Sequence, residues 1–330
     1  MNAQRTLALL ARALLTVSLT MSFAGPAAAS GPPPAIVTSL PGAPTRTTAA
    51  PPKRRPEPVH LDAVGAVVGV HLGFAAWTYF AWYKKQVRSD HFLWRDEGWF
   101  GPETYAGGSD KLGHAMANYA LTRGTAQLLD SAGLGPAARL ILANLLTMTS
   151  FVVVEIKDGY HDNFGFSWGD IIANLTGNVI GTTMELWPAL DRALDLRLEY
   201  VPSRDYLSAL SSDDANVGED YSGMRFAAYL KGSAIDWRFA KLYGAEQLLR
   251  YVNIGVAYQT IGFKPIRRTV RRQIITLRVA LDVQVLIDDY VYGGRRANSG
   301  GLAHFASEML TLPLTSRGPK LYEIRRVSAP

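Results

Sequence analysis

Ionisable and amide side chains recur at helical spacing within the most apolar part of the chain, between residues 109 and 181. Three pairs carry the pattern, namely Asp110 with His114, Glu155 with Asp158, and Asp170 with Asn174. Residues three or four positions apart share one face of a helix. A histidine beside carboxylates can exchange a proton or hold a metal ion. The sequence therefore predicts a polar site where helix ends meet, without specifying a reaction.

Two groups of candidate residues follow from this pattern. The candidates for catalysis are His114, Glu155, Asp158 and Asp170. The candidates for binding are Asp110, Lys111, His161, Asp162, Ser167 and Asn174. A buried ion-pair network that fixes the helix register uses the same residue types. Enzymatic activity, cofactor and metal dependence are therefore left open.

Part of the pattern also has a structural explanation. Ser109 is predicted as a helix N-cap, and the helix dipole favours the carboxylate of Asp110 in the first turn. Ser167 and Asp170 form a Ser-x-x-Asp pattern that resembles a capping box. Helix capping does not explain Asn174, which lies inside the following apolar run.

The order of the helices predicts that the three pairs converge. The first pair begins a helix predicted over residues 112–129, the second ends a helix from residue 137, and the third opens a helix that starts at Ser167. Glycine and proline at residues 133–136 are stop signals and predict the break between the first two helices. Two antiparallel turns bring these helix ends to one level. We expect one pocket, roofed by the turn at residues 159–165.

Two further segments are apolar enough to contact lipid. Residues 61–83 are long enough to span a bilayer and end in an aromatic cluster followed by two lysines, which is consistent with a transmembrane helix. A buried core helix is equally consistent with the sequence, because three glycines at four-residue spacing suit close helix packing. Residues 140–154 contain one polar side chain besides Ser and Thr, that of Asn144, and are predicted to be buried or to lie in lipid.

The N-terminus has the order of features typical of a secretory signal peptide. Residues 1–29 contain two arginines, an apolar run and a small-residue end, which predicts cleavage after Ala29. A short membrane anchor that is retained is the alternative. Residues 30–58 are rich in proline and alanine and are predicted to be an extended linker. The chain has no cysteine, so a disulfide and a lipidated cysteine are both excluded.

After residue 190 the pattern changes from helical to alternating. Apolar residues at every second position predict antiparallel strands over residues 196–200, 252–258 and 275–285. We predict an α+β fold, with about four apolar helices followed by a C-terminal antiparallel β-sheet. The predicted domains are a helical one over residues 59–190 and a β-rich one over residues 191–330 with a short C-terminal helix.

The charge balance indicates an anionic partner in the envelope. The chain carries a net charge of +6, and its arginines cluster in the C-terminal part. An exported protein meets anionic lipid head groups or lipopolysaccharide phosphates before any nucleic acid. Since no nucleic-acid-binding motif is present, we expect a lipid surface and no nucleic acid. Protein partners are not predicted.

Three sequence blocks resemble a known family. They are Asp110-Lys111-x-x-His114, Glu155-x-x-Asp158-Gly159 and Gly165-Phe166-Ser167-x-x-Asp170-x-x-x-Asn174-x-x-Gly177. In this order they resemble the domain of unknown function 2279 family of exported bacterial proteins, which includes the YfiM-like predicted lipoproteins. A weaker resemblance, in the first and third blocks, is to VanZ-type membrane proteins. The resemblance covers residues 99–188 and implies an envelope location, but no activity. One departure is that this chain lacks the cysteine of the short lipoprotein members.

Two functions are consistent with these features. We expect a membrane-associated, periplasm-facing envelope protein with a structural or a lipid- or glycan-binding role, without a choice between the inner and outer membranes. The alternative is an envelope hydrolase or transferase that acts on a lipid-linked or glycan substrate through His114 and the nearby carboxylates. Access distinguishes the two, because a catalytic cluster must open to a cleft and a purely structural network is sealed.

Overall fold

Helices form the first half of the structure and an antiparallel sheet forms the second, which confirms the predicted α+β fold. The structure is a computed structural model that describes residues 60–84, 86–210, 216–237, 244–290, 305, 308–309 and 316–327. The predicted signal peptide and linker lie outside the described residues. The predicted division into a helical and a β-rich domain stays a prediction.

In the described part of the chain, four long helices precede the sheet. They are α1 (Leu61–Thr78), which continues as a π-helical turn (Tyr79–Tyr83), α2 (Ser109–Ser131), α3 (Pro136–Asp158) and α4 (Trp168–Leu186). The break between α2 and α3 lies at Gly133, which has a φ of 85°, and at Pro136, the first residue of α3. Glycine tolerates this left-handed conformation and proline is favoured at the first helical position, as the sequence predicts.

The structure confirms one of the two predicted N-caps and not the other. Ser167 is the N-cap of α4, where its Oγ accepts a hydrogen bond of 3.3 Å from the backbone N–H of Asp170. The prediction for Ser109 is wrong, because Gly108, with a φ of 95°, is the N-cap of α2 and Ser109 is the first helical residue. The hydroxyl of Ser109 instead bonds to Thr260 Oγ1 at 2.8 Å. Ser109 therefore ties α2 to the sheet.

The interior of the helical bundle is unusually polar. Asn178 donates to Thr122 at 3.0 Å, and Asn144 donates to Thr182 at 2.9 Å. Apolar side chains of α1 and α3 lie on the outside instead: exposed ones include Leu61, Val68, Val70, Leu72, Ile141, Leu142, Leu145, Leu146 and Val153. Both of these helices, over residues 61–83 and 136–158, are long and apolar enough to cross a membrane.

All strand pairs in the sheet are antiparallel. A short helix, α5 (Pro188–Ala193), leads into β1 (Leu194–Tyr200), and α6 (Arg204–Ala209) and β2 (Met224–Leu230) follow. The rest comprises α7 (Glu246–Leu249), β3 (Val252–Ile261), β4 (Val270–Leu281), α8 (Val283–Tyr290), β5 (Ser316–Arg317) and β6 (Lys320–Val327). The strand order is β1-β2-β3-β4-β5, and β6 also pairs with β4.

The sheet exposes apolar residues and buries charged ones over part of its area. Leu230, Ile254 and Val279 are neighbours across three strands and are exposed. Asp195 and Arg197, on the other face of β1, are buried. Like the helical bundle, this part of the sheet is therefore more apolar outside than inside.

The prediction that β4 extends to residue 285 is wrong. The strand ends at Leu281, and α8 begins at Val283. Asp282 causes the change, because its Oδ1 accepts a hydrogen bond of 3.0 Å from the backbone N–H of Val285. A carboxylate in this position satisfies a free N–H at a helix N-terminus, which the alternation of apolar residues does not reveal.

Candidate functional site

Lys111 lies at the centre of a buried ion-pair cluster. Its Nζ is 2.6 Å from Asp170 Oδ1, 2.7 Å from Glu97 Oε2 and 3.0 Å from Asp110 Oδ2. The lysine side chain is only 4% exposed. Because α2 and α4 both begin here, the first turns of two helices supply the lysine and two of its three carboxylates.

His114 lies one turn after Asp110 and joins the cluster through both ring nitrogens. Its Nδ1 is 3.0 Å from Asn174 Oδ1 and 3.4 Å from Glu155 Oε1. Its Nε2 is 3.8 Å from Oδ1 of Asp110 and 3.8 Å from Oδ1 of Asp170. With 20% of its side chain exposed, His114 is more accessible than the carboxylates around it.

Asn174 connects the histidine to the interior of the bundle. Its Oδ1 accepts a hydrogen bond of 2.6 Å from Asn118 Nδ2, and its own Nδ2 donates to Glu155 Oε1 at 3.4 Å. The carbonyl oxygen of Asn174 therefore faces His114, so Nδ1 of the histidine is the donor in that contact. This network fixes the ring orientation of His114 and directs Nε2 toward the two aspartates.

Two tyrosine hydroxyl groups donate hydrogen bonds to carboxylates of the cluster. Tyr221, which follows α6 in the chain and precedes β2, donates to Asp110 Oδ1 at 2.7 Å. Tyr83, at the end of the π-helical turn, donates to Asp158 Oδ1 at 2.8 Å. Asp158 is thus oriented by a hydroxyl group, Asp170 by Lys111, and Asp110 by both a hydroxyl group and Lys111.

The carboxylates keep the histidine protonated at neutral pH. Burial lowers the pKa of His114, but the negative charges of Asp170, Glu155 and Asp110 outweigh burial and raise that pKa to about 10. Burial raises the pKa of Asp110, but the positive charges of His114 and Lys111 outweigh it and leave that pKa below its ordinary value. His114 and Asp110 therefore form an ion pair.

The pKa values of Glu97 and Asp170 are raised, in contrast to that of Asp110. Burial and the charges of Asp110 and Asp170 raise the pKa of Glu97 to about 7, although Lys111 opposes the change. Burial likewise raises the pKa of Asp170. The cluster therefore holds more carboxylates than its cations neutralise, and Glu97 exchanges its proton near neutral pH.

The cluster opens into a cavity of about 210 Å³ between the helices and the sheet. The ionisable groups at its polar end include Glu97, Asp110, His114, Asp158 and Asp170. Its apolar and aromatic walls include Phe74, Trp77, Trp82, Phe151, Phe164, Leu198, Met224 and Phe226. The cavity is thus amphipathic.

The structure brings most of the predicted site residues together. His114, Asp158, Asp170 and Asp110 line the cavity, and Lys111, Glu155 and Asn174 contact the cluster from behind. Phe164 and Gly165, from the turn expected to roof the pocket, also line it. Their catalytic and binding roles stay predictions.

Three predicted residues lie outside this arrangement of charges. Ser167 caps α4 through its hydroxyl. His161 Nδ1 contacts the carbonyl oxygen of Lys157 at 2.6 Å, and its ring packs on Tyr83. Asp162 is exposed to solvent. None of these three is among the residues that line the cavity.

Sequence patterns did not identify several groups at the site. Glu97 lies in an irregular aromatic connection, and Tyr221 lies more than a hundred residues from its partner Asp110. Neither residue is part of a periodic pattern. Asn118 could have been predicted from the sequence, because it continues the helix face of Asp110 and His114 at four-residue spacing.

Comparison with known families confirms the resemblance found in the sequence. The model of the domain of unknown function 2279 family, described as predicted periplasmic lipoprotein, matches residues 96–185. This segment includes Glu97, α2, α3 and nearly all of α4. The match indicates a protein of the bacterial cell envelope. Searches of curated proteins and of solved structures found no match.

Proposed function

We propose that this chain is a membrane-associated envelope protein that binds an amphipathic, lipid-linked molecule in the cavity above His114. The observation that carries the proposal is the composition of the cavity: aromatic and aliphatic walls end in an ionisable cluster in which His114 is partly exposed. A purely structural network would be sealed, so the opening favours a ligand site.

The two ends of the cavity specify different parts of the ligand. The apolar walls suit a hydrocarbon segment, because removing it from water is favourable. The polar end carries an excess of carboxylates, which accept hydrogen bonds from hydroxyl groups and repel unshielded anions. A lipid with a hydroxyl-rich, glycan-type head group fits both ends.

The outer surface supports membrane association. Exposed apolar side chains follow α1 and α3, while much of the bundle interior is polar. Water makes such a distribution unfavourable, whereas a lipid environment stabilises it. Exposed arginines at 325 and 326 on β6 add a surface for anionic lipid head groups or lipopolysaccharide phosphates.

A hydrolase or transferase that acts on the same ligand is the second candidate. It is favoured by His114, a protonated imidazole at the accessible end of the cavity with Asp158 and Asp170 nearby. In such an enzyme His114 would donate a proton to the leaving group, and a carboxylate would activate the attacking water.

Ligand binding is tested on a cavity-filling variant. A Cβ on Gly113 of α2 would meet Phe226 at 3.9 Å and Tyr221 at 4.0 Å, so Gly113→Leu places its side chain between α2 and these cavity-lining rings. Gly69→Leu is the matched control, since a Cβ on Gly69 has no atom within 4 Å. The full chain is purified in mild detergent, and bound lipids are identified by native mass spectrometry.

We expect envelope lipid to copurify with the wild type and with Gly69→Leu, but not with Gly113→Leu. Absence of lipid from the wild type, or equal lipid in both variants, contradicts the proposal. The same lipid is then incubated with the wild type and with His114→Gln. Conversion by the wild type alone favours the enzyme, and binding without conversion favours the carrier or binding role.

A further inference from the structure

Three potential ligand atoms surround a small gap at the polar end of the cavity. His114 Nε2 is 3.8 Å from Oδ1 of both Asp110 and Asp170, which is too long for a hydrogen bond. All three residues can place a ligand atom within 4.8 Å of one another. Asp110 and His114 are four residues apart on α2, and Asp170 comes from the first turn of α4.

The histidine is oriented as metal-binding histidines are. Its Nδ1 faces two acceptors, Asn174 Oδ1 at 3.0 Å and Glu155 Oε1 at 3.4 Å. A ligating histidine usually donates its other ring N–H to a carbonyl or carboxylate, which fixes the tautomer and directs the lone pair to the metal. Here that contact directs Nε2 into the gap.

Asp170 presents a buried carboxylate oxygen beside His114 Nε2. The residue is buried, with 5% of its surface exposed. Its close contact is the ion pair with Lys111 Nζ at 2.6 Å. A carboxylate oxygen has two lone pairs, so Asp170 Oδ1 can accept from Lys111 and still bind a metal ion beside His114 Nε2.

The charge of the cluster leads to the same conclusion. Within the described residues, one lysine and one histidine face five carboxylates, those of Glu97, Asp110, Glu155, Asp158 and Asp170. Buried negative charge is costly unless protons or a cation neutralise it. A divalent cation on Nε2 replaces the proton of His114, so the cluster would gain one net positive charge.

We propose that Asp110, His114 and Asp170 bind a divalent metal ion, Zn²⁺ or Mn²⁺, with an open coordination position toward the cavity. An ion about 2.1 Å from two ligand atoms allows them to be at most about 4.2 Å apart, so His114 Nε2 can share an ion with either aspartate oxygen at 3.8 Å. One imidazole and two carboxylates suit these two ions. Lys111 and Tyr221 orient the ligating carboxylates from outside.

The metal site goes beyond the proposed lipid binding, and the two fail separately. The metal is measured on the full chain without any lipid. The protein is stripped with a chelator in mild detergent, and Zn²⁺ and Mn²⁺ are each titrated alone by calorimetry. We expect one ion per chain. A folded wild-type protein that binds neither ion at a concentration of about 10⁻⁴ M overturns the proposal.

The ligand variants are Asp110→Asn, His114→Gln and Asp170→Asn. The matched controls are His91→Gln and Asp162→Asn, which remove the same functional groups from exposed positions. We expect each ligand variant to weaken binding by at least about 100-fold, more than is typical for loss of an outer partner. The controls should bind as the wild type does, and equal binding by ligand variants and controls also overturns the proposal.

A spectroscopic variant covers the case in which a ligand variant does not fold. The chain contains no cysteine, so His114→Cys introduces its one thiol. Thiolate is a good ligand for Zn²⁺ and Co²⁺. The Co²⁺-loaded variant should show a sulfur-to-cobalt charge-transfer band that Co²⁺-loaded wild type lacks. Folded His114→Cys without that band contradicts ligation at position 114.

Discussion

Gly177 of α4 lies directly against the main chain of Ala115 in α2, because a Cβ on Gly177 would be 1.9 Å from the Ala115 carbonyl oxygen. This approach determines the geometry of the site. His114 precedes Ala115, and Asn174 lies about one turn before Gly177, so the close helix contact brings the imidazole and the amide within 3.0 Å. The glycine and the polar residues are therefore parts of one structural unit.

The first prediction concerns this contact. Gly177→Ala should lower the free energy of unfolding by about 2–3 kcal/mol, because the methyl group forces α2 and α4 apart. Gly69→Ala is the control, since its Cβ meets no atom within 4 Å and alanine favours the helix. Chemical unfolding in detergent measures both. Equal stability of the two variants would show that the helices adjust without cost.

The second prediction concerns the central lysine. Lys111→Met leaves Asp110, Asp170 and Glu97 without their shared cation and should cost about 3–5 kcal/mol in a chelating buffer. The control is Lys264→Met, because the Lys264 Nζ is 3.6 Å from Glu219 and the side chain is 29% exposed. That change should cost less than about 1 kcal/mol. Denaturant unfolding at one pH compares them, and similar losses would contradict the central role of Lys111.

The sequence was sufficient to predict the α2 to α4 part of the site. Helical spacing aligned Asp110 with His114 and Asp170 with Asn174, and the glycine and proline between α2 and α3 placed the helix ends. In a helix, residues three or four positions apart lie on the same face, so their spacing in the sequence determines their positions in the fold. This is why the pairs converge as the order of helices predicts.

Contacts made by irregular segments were not predictable. Glu97 and Tyr221 reach the cluster from loops, where position depends on tertiary packing and not on a sequence period. Strand alternation identified β1, β3 and most of β4, but not which face is exposed. In β4, apolar and polar side chains each recur at every second position. Only the elements packed against the strand determine which of the two faces is buried.

The third prediction is a pH dependence from Asp195 of β1. Burial raises the pKa of this carboxyl from 3.8 to about 6, although Arg197 and Lys231 oppose the change. Between these two values the folded chain binds more protons than the unfolded chain. The contribution of Asp195 to the free energy of unfolding is therefore fully present below pH 3.8 and is lost as pH rises through about 6.

The test compares the wild type with Asp195→Asn, which cannot ionise. Inside this window the wild type should lose up to about 1.4 kcal/mol per pH unit relative to the variant. Unfolding free energies measured at several pH values from 4 to 7 give the difference, with each pH set to about 0.1 unit. Parallel curves for the two proteins would show that Asp195 ionises normally in the folded state.

The last prediction concerns the apolar faces of α1 and α3. We expect the full chain to stay in the membrane fraction after washes with high salt and with carbonate, because salt screens charge contacts but does not weaken apolar ones. Leu72→Glu, at a side chain 65% exposed on α1, should shift protein to the soluble fraction, since a charge in lipid costs about 3 kcal/mol. Leu248→Glu, at a side chain 71% exposed on α7, is the matched control and should not. Complete release of the wild type by salt alone would leave only a charge interaction with lipid, and equal release of both variants would remove α1 from the membrane contact.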